Sequence, residues 1–190
     1  MKNVAIFASG SGTNAENITR YFSKSETIKV AVVLSNNRNV GVHGRVNRLG
    51  IPSFVFSREE FIDGEVVLAK LAEYKIDLIV LAGFMSKISD PLLKAYPGKI
   101  INIHPALLPK FGGKGMYGMH VHEAVVAAGE RETGITIHYI DEHYDEGTII
   151  FQAKCSILPS DTPDEVAEKV HALEYAYYPK VIEDLLAAGI

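Results

Sequence analysis

The stretch Ile100-Ile101-Asn102-Ile103-His104-Pro105-Ala106-Leu107-Leu108-Pro109 decides how the rest of the chain is read. Its first half is a short β-branched run of the kind that forms a buried strand, yet it carries an amide and an imidazole. Asn102 and His104 are two residues apart, so on an extended backbone they point to one side while Ile101 and Ile103 point to the other, into a core. Pro105 has no N–H for the ladder and turns the chain out of the sheet directly after His104. A strand built this way presents two polar groups side by side at its carboxyl end.

Working outward, short β-branched runs alternate with longer helical periods. Strands are expected over residues 4–8, 28–34, 53–56, 78–81, 100–103, 134–140 and 148–157. Alternation of β and α implies a parallel sheet covered on both faces. Residues 141–147 are too few for a crossover helix, so the last two strands should be antiparallel neighbours. The expected fold class is α/β, a single-domain Rossmann-like open twisted sheet, mostly parallel with an antiparallel C-terminal strand and helices on both faces. One domain is expected over residues 1–190, because 47% hydrophobic residues can fill one sizeable core and no linker or repeat interrupts them.

Three helix starts carry the capping-box spacing: Thr13 with Glu16, Ser57 with Glu60, and Thr162 with Glu165, the last followed by Pro163 at the first helical position. The final helix places Val166, Val170, Leu173 and Tyr177 at helical spacing, is expected to bend or pause at Pro179, and runs out at Gly189.

Composition narrows the partners. A formal charge of -4 argues against nucleic acid held on a broad basic surface. No apolar run reaches membrane-spanning length, and the N-terminus enters a strand without the regions of a signal peptide. A single cysteine allows no internal disulfide, and Cys155 shares the apolar side of its strand with Phe151 and Ala153, so it reads as a structural thiol. These features point to a cytoplasmic protein acting on small molecules, with neither membrane nor nucleic acid as partner.

Ligands of an open α/β sheet bind beyond the carboxyl ends of its strands, and four chain-distant polar segments fall there. Strand one ends in Ala8-Ser9-Gly10-Ser11-Gly12-Thr13-Asn14, whose glycines and following helix start form a phosphate cradle. Neither a third glycine nor an acidic residue after the second strand completes a dinucleotide fingerprint. Glu16 is expected to turn aside from a bound phosphate. The fourth strand ends at Ala82-Gly83-Phe84-Met85, the fifth at Asn102 and His104, and the sixth at Asp141-Glu142-His143-Tyr144-Asp145-Glu146-Gly147.

A carboxylate such as Asp145, if it reaches His104, favours the imidazolium, which then donates rather than accepts. Asn102 supplies a neutral donor, and two donors converging on one oxygen suit a tetrahedral acyl-transfer intermediate. No Ser or Cys nucleophile adjoins this His, so the substrate brings its own, as an amine attacking an activated one-carbon acyl group would. A metal is not expected: His120 and His122 are two apart at a helix opening and diverge by about 200 degrees. His120 or His122 is read instead as helping with the phosphate or the lid, and His138 as support of the site.

With Leu81-Ala82-Gly83-Phe84-Met85, Asn102-Ile103-His104-Pro105-Ala106-Leu107-Leu108-Pro109, His138, Asp145-Glu146-Gly147 and Gln152-Ala153 in this order after Gly10-Ser11-Gly12-Thr13-Asn14, the chain resembles the purine branch of the folate-dependent formyltransferase family along essentially its whole length. The resemblance implies transfer of a formyl group from 10-formyltetrahydrofolate, as co-substrate, to the glycinamide amine of N1-(5-phospho-D-ribosyl)glycinamide in purine synthesis. It implies that Asn102 and His104 hold the formyl oxygen while Asp145 keeps His104 charged. It assigns Gly12, Thr13, Asn14, His171, Ala172, Leu173 and Glu174 to the nucleotide, with Glu174 on its amine or ribose. Arg58, Met85, Ser86, Lys87, Ile88, Asn102, Asp141, Glu142, His143, Tyr144 and Asp145 are assigned to the folate.

Departures from the family pattern are Ser86-Lys87 where relatives often carry Arg after Met, Ala106 in place of Ser, and the glycine-rich segment 111–119, which reads as a lid. A different formyltransferase or a formyl-folate hydrolase, and a nucleotide-binding regulator without turnover, are the rival readings.

Overall fold

The computed structural model of the protein describes residues 1–143 and 145–190. Among these residues one sheet of seven strands has the order β3-β2-β1-β4-β5-β6-β7. The strands are β1 (Lys2–Phe7), β2 (Ile28–Ser35), β3 (Ser53–Val55), β4 (Leu78–Leu81), β5 (Ile100–His104), β6 (Glu132–Tyr139) and β7 (Ile149–Ser156). Every strand expected from the sequence is present, within two residues at each end. The first five run parallel, β6 runs antiparallel to β5, and β7 antiparallel to β6. The reversed strand is therefore β6, and β7 again runs with the parallel set.

Among the described residues seven helices cover the two faces: α1 (Thr13–Phe22), α2 (Gly41–Asn47), α3 (Arg58–Asp63), α4 (Glu65–Glu73), α5 (Asp90–Ala95), α6 (Met119–Ala127) and α7 (Pro163–Ala187). The two-residue period of the strands sorts the core into two layers. Val4, Ile6, Leu78, Val80, Ile101 and Ile103 pack with α1, α2, α6 and α7, whereas Ala5, Phe7, Ile79, Leu81 and Ile100 pack with α3, α4 and α5. Ile101 and Ile103 thus lie in one core layer while Asn102 and His104 project to the other side, as their alternation requires.

Capping boxes are formed at Ser57–Glu60 and Thr162–Glu165. The third expectation is corrected. Thr13 is the first helical residue of α1, and the cap is Gly12 in the left-handed region at φ 78 with no side-chain bond. A side chain there would place Cβ within 2.6 Å of the Val42 backbone, so only glycine fits. Glu16 does turn aside, into ion pairs with Arg45 at 2.6 Å and Arg20 at 2.9 Å.

Helix α7 continues through Pro179 without a break. The proline has no N–H for the Tyr175 carbonyl one turn earlier. The Asn17 amide of α1 supplies that missing donor at 3.0 Å, which ties the two helices together. Among the described residues no helix is long and apolar enough to cross a membrane.

Candidate active site

A cleft of about 530 Å³ opens at the carboxyl ends of β1, β4 and β5, where the strand order reverses direction across β1 and β4. Its volume suits a small organic ligand. Gly10, Ser11, Gly12, Thr13 and Asn14 form one end. Residues 81–88 form a second wall, joined to the first because the Ser9 hydroxyl accepts the Met85 N–H at 3.0 Å and the Ser9 N–H donates to the Gly83 carbonyl.

The sheet register brings Asn102 directly opposite His138 and His104 opposite Thr136. His138 is fully buried, and burial pulls its pKa down, so the ring is neutral. Its Nδ1–H donates to the Tyr139 carbonyl at 3.1 Å, which leaves Nε2 to accept from the Asn102 amide at 3.2 Å. The Asn102 amide nitrogen is thereby fixed against the sheet with its second hydrogen free for a ligand.

His104 is 3% exposed. Its Nε2 donates to the Phe111 carbonyl at 2.7 Å. Nδ1 lies 3.7 Å from Asp145 Oδ2, an ion-pair separation too long for a hydrogen bond. Nδ1 is therefore the nitrogen left for a ligand. The same carboxylate presents Oδ1 3.7 Å from His138 Nε2 and accepts the Gly113 N–H at 2.9 Å. Asp145 reaches this position with φ 53, a left-handed conformation that Asp tolerates better than most residues. Two residues on, Gly147 packs so closely against the Tyr139 carbonyl that a Cβ would collide with it.

The turn after β5 is held by one hydroxyl. Thr136 Oγ1 donates to the Ala106 carbonyl at 2.7 Å and accepts from the Leu108 N–H at 3.0 Å and the Gln152 amide at 2.9 Å. All its hydrogen-bonding capacity is used, so β6 and β7 together fix where Pro105 sends the chain.

The far wall comes from α7. His171 and Glu174 are three residues apart and share the helix face that lines the cleft. Glu174 is 7% exposed, and burial pushes its carboxyl up to about 7, partly offset by the Asn14 amide donating to it at 2.9 Å. Residues 113–119, within the segment read as a lid, also line the cleft.

Of the residues assigned in the sequence, Met85, Ser86, Lys87, Ile88, Asp141 and His143 line the cleft beside Asn102, His104 and Asp145. Ala172 and Leu173 do not, because the helical turn carries Ala172 to solvent and Leu173 onto the core. Arg58 is exposed at the first position of α3, outside the lining, and so is Glu142 in the acidic turn. Tyr144 lies outside the described residues. The Ser86 hydroxyl accepts from the Asn36 amide at 3.1 Å. His120 is exposed beside Glu123, at 3.4 Å, whereas His122 is buried and lines the cleft. The hydrogen bond of Ser9 to Met85 and the Thr136 hub had no sequence signal, since each depends on contacts between distant segments.

Among the described residues no group of three or more His, Cys, Asp or Glu side chains is placed to hold a metal ion. The polar groups at this end of the cleft are an imidazole, an amide and a carboxylate, from His104, Asn102 and Asp145.

Residues 2–182 match the family model described as formyl transferase. The chain is 39% identical over 191 residues to phosphoribosylglycinamide formyltransferase of Bacillus subtilis, covering 98% of this chain and 95% of that protein. It is 38% identical over 187 residues to the chloroplastic phosphoribosylglycinamide formyltransferase of Arabidopsis thaliana, covering 95% of this chain and 64% of that protein. It spans 14% of the trifunctional purine biosynthetic protein adenosine-3 of Drosophila melanogaster at 38% identity. Among solved structures, glycinamide ribonucleotide transformylase 1 from Geobacillus kaustophilus superimposes with a TM-score of 0.89 at 38% identity, covering 98% of this chain and 99% of that one.

Proposed function

This chain belongs to the formyl transferase family, and on that premise we propose that it transfers the formyl group of 10-formyltetrahydrofolate to the glycinamide amine of N1-(5-phospho-D-ribosyl)glycinamide in de novo purine biosynthesis. The observation that carries the reading is the convergence of Asn102, His104 and Asp145 at one end of a cleft whose other end is the Gly-rich first turn. The Bacillus subtilis relative, matched over nearly its whole length, supports the same substrate pair.

The acceptor's phosphate sits against the N–H groups of residues 10–14, where the start of α1 favours negative charge. Glu174 accepts from its ribose hydroxyls or amine. The donor lies along residues 85–88 and 141–145, of which Tyr144 falls outside the described structure. The neutral amine attacks the formyl carbon. As the carbonyl oxygen gains negative charge, the free Asn102 N–H and protonated His104 stabilise it, with Asp145 as counter-ion of the imidazolium. Collapse breaks the bond from the formyl carbon to the folate nitrogen. That nitrogen leaves with a proton, and the acceptor nitrogen loses one. A cytoplasmic location belongs to the same proposal, supported by the unpaired Cys155.

Mixing the protein with glycinamide ribonucleotide and 10-formyltetrahydrofolate and following folate release tests the reading. Release that requires the amine is expected. Release without it indicates a hydrolase, and no release with retained nucleotide binding indicates a regulator; either result overturns the proposal.

A further inference from the structure

The chemistry above uses His104 and leaves a second cleft histidine without a task. His122, in the first turn of α6, is 2% exposed and lines the cleft. Its Nδ1 is buried and has no hydrogen-bond partner among the described residues. Burial first, and the neighbouring His171 and His104 next, hold this ring down at about 4, so it is neutral near physiological pH. A neutral imidazole carries one N–H and one lone pair. An unmet lone pair is tolerated in the interior better than a stranded N–H, which assigns the lone pair to Nδ1 and the proton to Nε2.

The surroundings say which ligand this ring would meet. His122 packs edge to face on His171 of α7, with ring centroids 6.3 Å apart. His171 is one turn from Glu174, which holds Asn14 of the first turn at 2.9 Å. Asn14 Oδ1 is itself buried with no partner among the described residues. Incompletely bonded polar atoms thus recur along a single wall built from α1, α7 and α6. Buried polar atoms in native proteins are nearly always satisfied, so two unmet atoms on one wall point to a ligand that completes the set.

We propose that His122 is a further binding residue for the acceptor substrate, its imidazole accepting at Nδ1 a hydrogen bond from a hydroxyl or N–H of the acceptor along the wall shared with Asn14, His171 and Glu174. The inference rests on the placement of the acceptor between the first turn and α7 given above. A ring this weakly basic takes up no proton near neutrality, so its contribution falls on acceptor affinity and not on turnover.

The test compares the parent protein with His122→Phe and His122→Asn, using glycinamide ribonucleotide and 10-formyltetrahydrofolate. Asparagine keeps an acceptor oxygen at the reach of Nδ1. His122→Phe is expected to raise KM for the acceptor about tenfold while kcat and KM for the donor stay within about twofold, and His122→Asn to recover most of the loss. In parallel, the His122 ring nitrogens of the ¹⁵N-labelled parent should shift with glycinamide ribonucleotide alone and not with the formyl donor alone. An unchanged acceptor KM in folded His122→Phe overturns the inference, as does a loss that asparagine fails to relieve. Should the phenylalanine variant not fold, an unmoved ring signal at saturating acceptor overturns it equally. Failure of the parent protein to consume the acceptor at all is a separate result, which removes the formyl-transfer reading and this inference together.

Discussion

Asp145 is the residue whose charge can be removed with least disturbance. The Gly113 N–H needs only an acceptor oxygen, which asparagine retains, while the negative charge 3.7 Å from His104 is lost. Asp145→Asn is therefore expected to keep the melting temperature and lower kcat by about 10–100-fold, measured by steady-state kinetics. Undiminished turnover would remove Asp145 from the mechanism. Glu174 shows the opposite balance, a group kept at a cost to stability. Burial holds it protonated up to about 7 against 4.5 when exposed. Between those values the native state keeps a proton that the unfolded chain has lost, so stability falls as pH rises and the penalty is complete above the folded value. Its size is about 3 kcal/mol at most. Glu174→Gln should gain stability over the parent near pH 8 but not below about pH 4.5, and should bind the acceptor less well. Urea unfolding at the two pH values reads the first effect; equal differences at both would refute the assignment. Asn102, His104 and Asp145 were all legible in the sequence, because alternation, a proline stop and an acidic turn each leave a local mark. Arg58 and Glu142 stand outside the cleft lining, and which way an exposed side chain leans has no such mark.

At the scale of elements, the seven strands follow from β-branched runs, and two of three capping boxes from spacing alone. The third failed because Gly12 can adopt φ 78 beside Val42 and so takes the cap from Thr13. Pro179 was expected to bend or pause α7, but the helix runs on because a side chain from α1 satisfies the freed carbonyl. That compensation is testable. Asn17→Ala should cost about 1 kcal/mol of stability in the parent and distinctly less in a Pro179→Ala background, where the new N–H can serve Tyr175. Additive losses in the double-mutant cycle would exclude it. Thr136→Val strips the Ala106 carbonyl, Leu108 N–H and Gln152 amide of a shared partner. A loss of about 1–3 kcal/mol is expected, with a fall in kcat as the turn after His104 relaxes. Thermal melts beside kinetics would show whether the two move together.

For the whole molecule, the strand order places the cleft where the connections diverge, and the reversed β6 carries His138 and leads into the acidic turn. A sheet that continued in parallel would not set Asn102 opposite His138. The net charge of -4 leaves anionic ligands to be met by local groups such as the first turn. Occupancy should then stabilise the entire fold, by about 2.7 kcal/mol when glycinamide ribonucleotide stands at 100 times its Kd. The most direct measurement of the central claim is single-turnover formyl transfer by His104→Ala with saturating glycinamide ribonucleotide and 10-formyltetrahydrofolate, set beside the Kd of the nucleotide. If an imidazolium at the end of β5 stabilises the reacting oxygen, the rate falls by about 10²–10⁴ while the Kd stays within about threefold. A rate close to that of the parent, or a Kd weakened as much as the rate, would contradict it.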